Sequence, residues 1–368
     1  MMLHEPTLSK YLHAKGARLG LPISGTFELT ARCNFNCKMC YVHLTEAEQK
    51  AQGSELTAAQ WLSLAEELRE AGTVFLLLTG GEPTLRPDFP ELYSELKKLG
   101  FVLTINTNGY LLRGGLRELL LRDPPNRVNI TLYGADNETY RRLCGVAAFD
   151  TICDNVRALR EGGISVKLNL SLLPENAPEL PALLKTAQAL GASTQAAAYM
   201  FPPRRRGKTD CDCRLSPEEA GRFQAEYERL VLPPQELAAK RETLRAGLRP
   251  ENDEACDGAV GEGMRCRAGS TSFWITWDGR LLPCGQMLTP AVPLRAQPFA
   301  DAWKTLRAQA AAIRLPPRCA ACGIAHACHV CAAMCYGENG SFGKTPDYLC
   351  CMTEAYLSEF LNKTEEAT

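Results

Sequence analysis

The stretch Cys33-Asn34-Phe35-Asn36-Cys37-Lys38-Met39-Cys40-Tyr41 places three cysteines on one short loop, with gaps of three and two residues. Three thiolates so spaced can hold three irons of a cubane cluster and leave the fourth iron open to a ligand. A structural zinc site wants four closed ligands, and an electron-transfer cluster wants four cysteines. The spacing therefore describes a metal site built to bind something else. A zinc site or a packed cysteine cluster is the alternative reading.

Outward from this loop, the first 200 residues alternate strand and helix patterns. Strands are predicted at 26–30, 74–79, 102–106, 128–133, 166–172 and 196–201, with helices at 58–71, 89–99, 151–161 and 179–190 between them. Thr57 with Gln60 three residues on reads as a capping box, and Gly100 and Gly191 stand where helices should stop. Repeated βα units with short connections imply an α/β fold with a parallel sheet. Six units rather than eight imply a partial, open (β/α)6 TIM-like barrel. Ligands of such folds gather at the carboxyl ends of the strands, and the three cysteines directly follow the first one. Residues 1–23 read as an amino-terminal extension, 24–203 as the barrel, 204–254 as a helical linker and 255–368 as a cysteine-rich module ending in a helix.

Composition narrows the class. The chain has 368 residues, 45% hydrophobic, with a net charge of −1, so nothing global points to nucleic acid or an anionic membrane. The exception is the local run Arg204-Arg205-Arg206-Gly207-Lys208. Seventeen cysteines with no signal-peptide pattern and no apolar stretch of about 20 residues argue for metal ligands in a reducing, oxygen-free cytoplasm.

Two further constellations carry chemistry. Gly80-Gly81-Glu82 ends the second strand, where glycines let backbone approach a ligand and a carboxylate can receive an ammonium group. Asn108 ends the third strand, and Thr131 and Tyr133 end the fourth. The second constellation is Cys266-x12-Gly279-x4-Cys284, then Cys319-x2-Cys322-x5-Cys328-x2-Cys331-x3-Cys335, then Cys350-Cys351. A zinc ribbon would use four of these thiols, whereas two further cubanes would use seven or eight.

The cysteine loop, with Tyr41 after its last cysteine, resembles the radical S-adenosylmethionine (SAM) superfamily, and the later cysteines resemble its SPASM extension. The resemblance runs over roughly residues 24–360. It implies that the open iron at Cys33, Cys37 and Cys40 chelates SAM and that an electron splits it to a 5′-deoxyadenosyl radical. It also implies Gly80, Gly81, Glu82, Asn108, Thr131 and Tyr133 as SAM contacts, with Arg141, Arg142 and Asn169 as further candidates. Two auxiliary [4Fe-4S] clusters are implied. Cys319, Cys322, Cys328 and Cys350 would hold the outer one. Cys266, Cys284 and Cys331 would hold the inner one, with Cys256 as its fourth ligand, or with an open iron if Cys256 does not bind. The run departs from the usual SPASM form at one gap, which makes Cys331 the first choice and Cys335 a spare. His326 and His329 lie among these thiols. Cys144 and Cys153 read as packed thiols, and Cys211-Asp212-Cys213 as a loop pair outside every cluster pattern, with a reactive pair as the alternative reading.

The resemblance implies an oxidative enzyme, because a SPASM module takes up the electron left after product forms. The expected activity is modification, above all cross-linking, of a ribosomally made peptide. A flavodoxin- or ferredoxin-like electron donor is implied. About 25 residues before the first strand are too few for a packed domain, so leader recognition would use a separate leader-binding protein or this core itself. Arg204–Lys208 would suit an acidic leader. Formylglycine-forming maturases carry an Asp after the cysteine equivalent to Cys284, where this chain has Gly285, although Asp278 or Asp347 could substitute. The alternatives are a maturase or dehydrogenase acting on a protein residue or small molecule, and a cluster-binding carrier without SAM chemistry.

Overall fold

The computed structural model describes residues 7–203, 213–250, 263–264 and 266–362. Six strands, β1 (Ser24–Glu28), β2 (Phe75–Thr79), β3 (Val102–Thr107), β4 (Arg127–Leu132), β5 (Val166–Ser171) and β6 (Ser193–Ala197), pair in parallel and in chain order. Their alternate residues face two surroundings. Phe27, Leu76, Leu78, Leu103, Ile105, Leu168 and Leu170 are buried. Thr26, Thr104, Asn106, Thr131, Lys167 and Asn169 are half-buried on the other, concave face. A sheet with helices on one face and polar side chains on the other is an open barrel, not a doubly covered sheet.

The crossovers supply the covering layer: α2 (Glu46–Gln52), α3 (Ala58–Glu70), α4 (Phe89–Lys98), α5 (Gly114–Arg122), α6 (Asn137–Cys144), α7 (Phe149–Glu161) and α8 (Leu180–Ala189). Thr57 and Gln60 form the capping box of α3. Trp61 of α3 packs on Phe27 with ring centroids 4.5 Å apart, both rings out of water. Burial of such a side chain contributes about 1.5–3 kcal/mol.

The segment ahead of β1 is itself folded. Helix α1 (Thr7–Leu19) docks with His13 Nδ1 2.8 Å from Thr271 Oγ1 and with Gly16 against Ile23. The sheet also runs on past the barrel. β7 (Ser272–Ile275) pairs in parallel with β1, and β8 (Arg280–Leu282) and β9 (Val292–Pro293) follow antiparallel, giving nine strands in the order β6-β5-β4-β3-β2-β1-β7-β8-β9. The remaining helices are α9 (Pro217–Val231), α10 (Pro234–Arg245), α11 (Phe299–Ala311), α12 (Pro317–Ala320), α13 (Ala332–Asn339) and α14 (Asp347–Asn362). Among the described residues no helix is long and apolar enough to cross a membrane.

The sixth strand lies earlier than predicted. Tyr199 and Phe201, which gave the predicted strand its apolar character, lie beyond β6 and pack edge to face, with Gly337 of α13 against Phe201.

Candidate functional site

The three cysteines of the first loop leave the carboxyl end of β1, and the loop is held from two sides. Helix α6 holds one side: Asn36 N donates to Cys144 O at 3.1 Å and Lys38 N to Leu143 O at 3.0 Å. These bonds use carbonyls of the last turn of α6, which ends in left-handed Gly145 and has no partners of its own for them. The β2 turn holds the other side. Gly81 N donates to Thr30 O at 2.7 Å, and Glu82 N to Arg32 O at 2.9 Å. A Cβ on Gly80 or Gly81 would lie 2.5 Å from Thr30 O or 2.3 Å from Arg32 O. The glycines let the two backbones touch.

Around the thiols, hydrogen bonds come mainly from backbone. Cys33 Sγ accepts from Phe35 N at 3.3 Å and Cys40 Sγ from His43 N at 3.2 Å, and Cys37 Sγ meets the Cys144 thiol. Asn108 Nδ2 donates to Asn34 Oδ1 at 2.8 Å and reaches Cys33 Sγ at 3.7 Å. Burial pushes the Cys33 thiol up to about 12, and Glu82, Cys37 and Cys40 nearby push the same way against the Phe35 N–H. Thiols held so high stay protonated unless a cation takes the proton's place, which suits a metal-ligand set.

Glu82 has no exposed surface. Its Oε1 accepts from Thr84 N (3.0 Å), Thr84 Oγ1 and Thr107 Oγ1 (2.8 Å), and its Oε2 from Asn108 N (2.8 Å). Burial raises its pKa and these donors oppose the rise. Glu82 thus ties the β2 turn to the β3 turn, an organising place that nothing in its sequence neighbourhood marks.

Thr131 lies half-buried on β4, its carbonyl accepting from Tyr140 Oη at 3.3 Å. The Tyr133 phenol is pushed up by burial, and its ring packs edge-on to Tyr140. Arg142 is taken up on α6 by Thr139 and Glu138, Arg141 is exposed, and Asn169 stays on the concave face.

The later cysteines fall into two groups. Cys319, Cys322, Cys328 and Cys350 line one cavity, with walls of Ile324, Ala325, Val330, Pro346 and Leu349. Burial pushes the Cys350 thiol up to about 11, and Cys328, Cys319 and Cys322 add to it. Cys351, the next residue, is exposed. The Cys331 thiol is raised by burial, with Cys284 and Cys266 as neighbours. Cys335 is buried, with Cys319, Cys328 and Cys350 as neighbours, and its amide donates to Cys331 O at 3.0 Å. Among the described residues no three His, Cys, Asp or Glu side chains converge on a single metal ion. His326 is half-buried and His329 exposed. Cys153 is buried in α7, and Cys213 is buried and disulfide-bonded, which removes it as a reactive thiol. Cys256, Cys211, Asp212 and Arg204–Lys208 lie outside the described residues.

Gly285 has a packing reason. A Cβ there would lie 2.6 Å from the Trp274 indole, whose Nε1 donates to the buried Glu28 at 2.7 Å. Asp278 is engaged by Arg280 Nε at 2.8 Å and by Thr276.

Residues 27–187 match the radical SAM superfamily model. Over 348 residues the chain is 25% identical to the AdoMet-dependent heme synthase of Methanosarcina barkeri, covering 88% of this chain and 94% of that one. It is 31% identical to the PqqA peptide cyclase of Granulibacter bethesdensis over 173 residues, 47% of this chain and 46% of the cyclase. Among solved structures, Streptococcus suis SuiB bound to precursor peptide SuiA aligns with TM-score 0.68 and 17% identity, covering 93% of this chain and 80% of SuiB. Native anSMEcpe with bound AdoMet aligns with TM-score 0.68 and 15% identity, covering 92% and 97%. Residues 27–187 are thus a radical SAM domain, and the chain has the partial-barrel fold of these solved structures and a cysteine-rich carboxyl-terminal region.

Proposed function

We propose that this radical SAM enzyme oxidatively modifies, and specifically cross-links, a ribosomally made peptide. Cys33, Cys37 and Cys40 hold a [4Fe-4S] cluster. Gly80, Gly81, Glu82, Asn108, Thr131 and Tyr133 shape the SAM site around it, with Glu82 and Asn108 fixing the turns. Cys319, Cys322, Cys328 and Cys350 hold an outer auxiliary cluster, and Cys266, Cys284 and Cys331 an inner one, with Cys256 as the candidate fourth ligand. The donor chemistry fits, because these are soft thiols and four of them line one cavity. When bound, the first cluster supplies the electron that cleaves SAM to a 5′-deoxyadenosyl radical.

The observation that carries the reading is the pair of thiol groups beyond the SAM loop, because a net oxidation leaves an electron that must go somewhere. The solved complexes of SuiB with a precursor peptide and of anSMEcpe with the Kp18Cys peptide support a peptide substrate, as does the PqqA peptide cyclase match. A low-potential flavodoxin- or ferredoxin-like donor and a reducing, oxygen-free cytoplasm go with the same chemistry. A separate protein that presents the peptide's leader completes the proposal.

The test is mass spectrometry of a short peptide encoded beside the gene, after anaerobic incubation with reconstituted enzyme, SAM and reductant. Loss of two hydrogens is expected, with fragmentation locating the bond. No 5′-deoxyadenosine on reduction would overturn the enzyme assignment. 5′-Deoxyadenosine with an unchanged peptide would overturn the peptide assignment.

A second reading, oxidation of a small molecule, is favoured by one observation: the heme synthase match spans nearly the whole of both chains. Turnover of a heme precursor in the same assay would select it.

A further inference from the structure

Helix α10 and the residues after it lie in sequence between the barrel and the cysteine-rich region, and their arginines reach backbone carbonyls there. Arg241 Nε donates to Phe360 O at 3.0 Å and Arg245 Nη2 to Leu361 O at 3.1 Å, both near the end of α14. Four residues further on, the half-buried Arg249 does the same to a different segment. Its Nη2 donates to Ala325 O at 2.7 Å and to Cys328 O at 3.0 Å. Ala325 and Cys328 both line the cavity that Cys319, Cys322 and Cys350 share. One short stretch of chain thus holds the helix that carries Cys350 and the loop that carries Cys322 and Cys328.

We propose that Arg249 is a positioning residue for the outer auxiliary cluster: its guanidinium braces the turn from Cys322 to Cys328 and places a permanent positive charge against it. Arginine is charged at every working pH and donates through a rigid planar fork. Hydrogen bonds from such a cation to carbonyl oxygens are stronger than those between neutral groups. A cubane held by four thiolates gains negative charge on reduction, so a fixed cation beside it favours the reduced form and raises its potential. A raised potential makes the outer cluster a better resting place for the electron that a net oxidation leaves behind. No covalent bond is made or broken in this role. The inference rests on the reading of Cys319, Cys322, Cys328 and Cys350 as cluster ligands.

The test is an EPR-monitored redox titration of the reconstituted full-length protein. The outer cluster's signal is the SAM-insensitive one that the double variant Cys319→Ala/Cys322→Ala removes. Arg249→Met and Arg249→Gln remove the charge, and Arg249→Lys keeps it. At a fixed ambient potential, the reduced-to-oxidised ratio of that cluster is expected to fall about threefold in the Met and Gln variants, which is ~28 mV for a one-electron couple. The Lys variant should stay near wild type, and the SAM-responsive cluster should keep its ratio in all three. Should only one of the Met and Gln variants assemble the outer cluster, that one is compared with Lys; should both fail while Lys assembles it, the charge is needed for assembly and the proposal stands. An unchanged ratio in Met or Gln overturns it. An equal fall in Lys, or loss of the cluster in all three, assigns the effect to packing and overturns it too. If Cys319→Ala/Cys322→Ala removes neither signal nor iron, the ligand reading itself fails, and that outcome is separate from the Arg249 result.

Discussion

A Cβ at position 81 would lie 2.3 Å from the Arg32 carbonyl, and one at 285 would lie 2.6 Å from the Trp274 ring, so both glycines are dictated by what touches them. The obstacle at 81 is backbone and cannot step aside. Gly81→Ala should cost about 1–3 kcal/mol and sharply reduce SAM cleavage, read by chemical denaturation and by 5′-deoxyadenosine yield. The obstacle at 285 is a side chain. Gly285→Ala should therefore destabilise in the wild type and be nearly neutral in a Trp274→Ala background, a coupling that a double-mutant cycle measures. Asp88 gives a pH signature. The buried Arg86 guanidinium, at 2.9 and 2.7 Å, holds its carboxyl below the usual carboxylate range. The unfolded chain then binds the extra proton first, so this contribution is present above about pH 4 and is lost as pH falls through the lower folded value. Melts of the metal-free protein should show Asp88→Asn less stable at neutral pH, with the gap closing in acid.

At the scale of elements, α9 and α14 pack so closely that a Cβ on Gly221 would lie 2.3 Å from Met352 O. Arg229 donates to Glu359 O and Tyr356 Oη to Glu228, which locks the pair. Cys350 rides on α14, so this packing sets where the fourth thiol of the outer group stands. Gly221→Ala should lower the iron retained after reconstitution by up to about four atoms per chain, while leaving the SAM-responsive EPR signal in place. Local elements were legible where their signals are local. The capping box of α3 and the spacing of the cysteine loop are each carried by residues close together in the sequence. The grip of α6 on that loop joins residues about a hundred apart in sequence, and neither partner carries a mark of the other. Cys144 accordingly read as a packed thiol, which it is, without its neighbour being visible. The edge strand β6 was misplaced because Tyr199 and Phe201 look like strand residues but owe their apolar character to packing beyond the strand.

For the whole molecule, the sequence implied a barrel followed by a second, cysteine-rich module, and β7, which lies in that second stretch, is hydrogen-bonded to β1 along the same sheet. The Trp274–Glu28 bond crosses that join, and α1 reaches Thr271 from the other end of the chain. Pairing across some 250 residues leaves no periodicity to read, whereas the six parallel strands announce themselves by alternation. Shared strands couple unfolding. Urea denaturation of the metal-free chain should give one cooperative transition by both circular dichroism and tryptophan fluorescence, and two separated transitions would show that the module stands alone.

The backbone seam between residues 30–32 and 80–82 also bears on ancestry and engineering. Neither loop can lengthen, or gain a side chain at its contact point, without the other yielding. Across descendants of this chain the two should therefore vary as a pair, with the glycines lost only where the cysteine loop has been rebuilt. A transplant of the cysteine loop into another scaffold would need the Gly-Gly turn carried along with it.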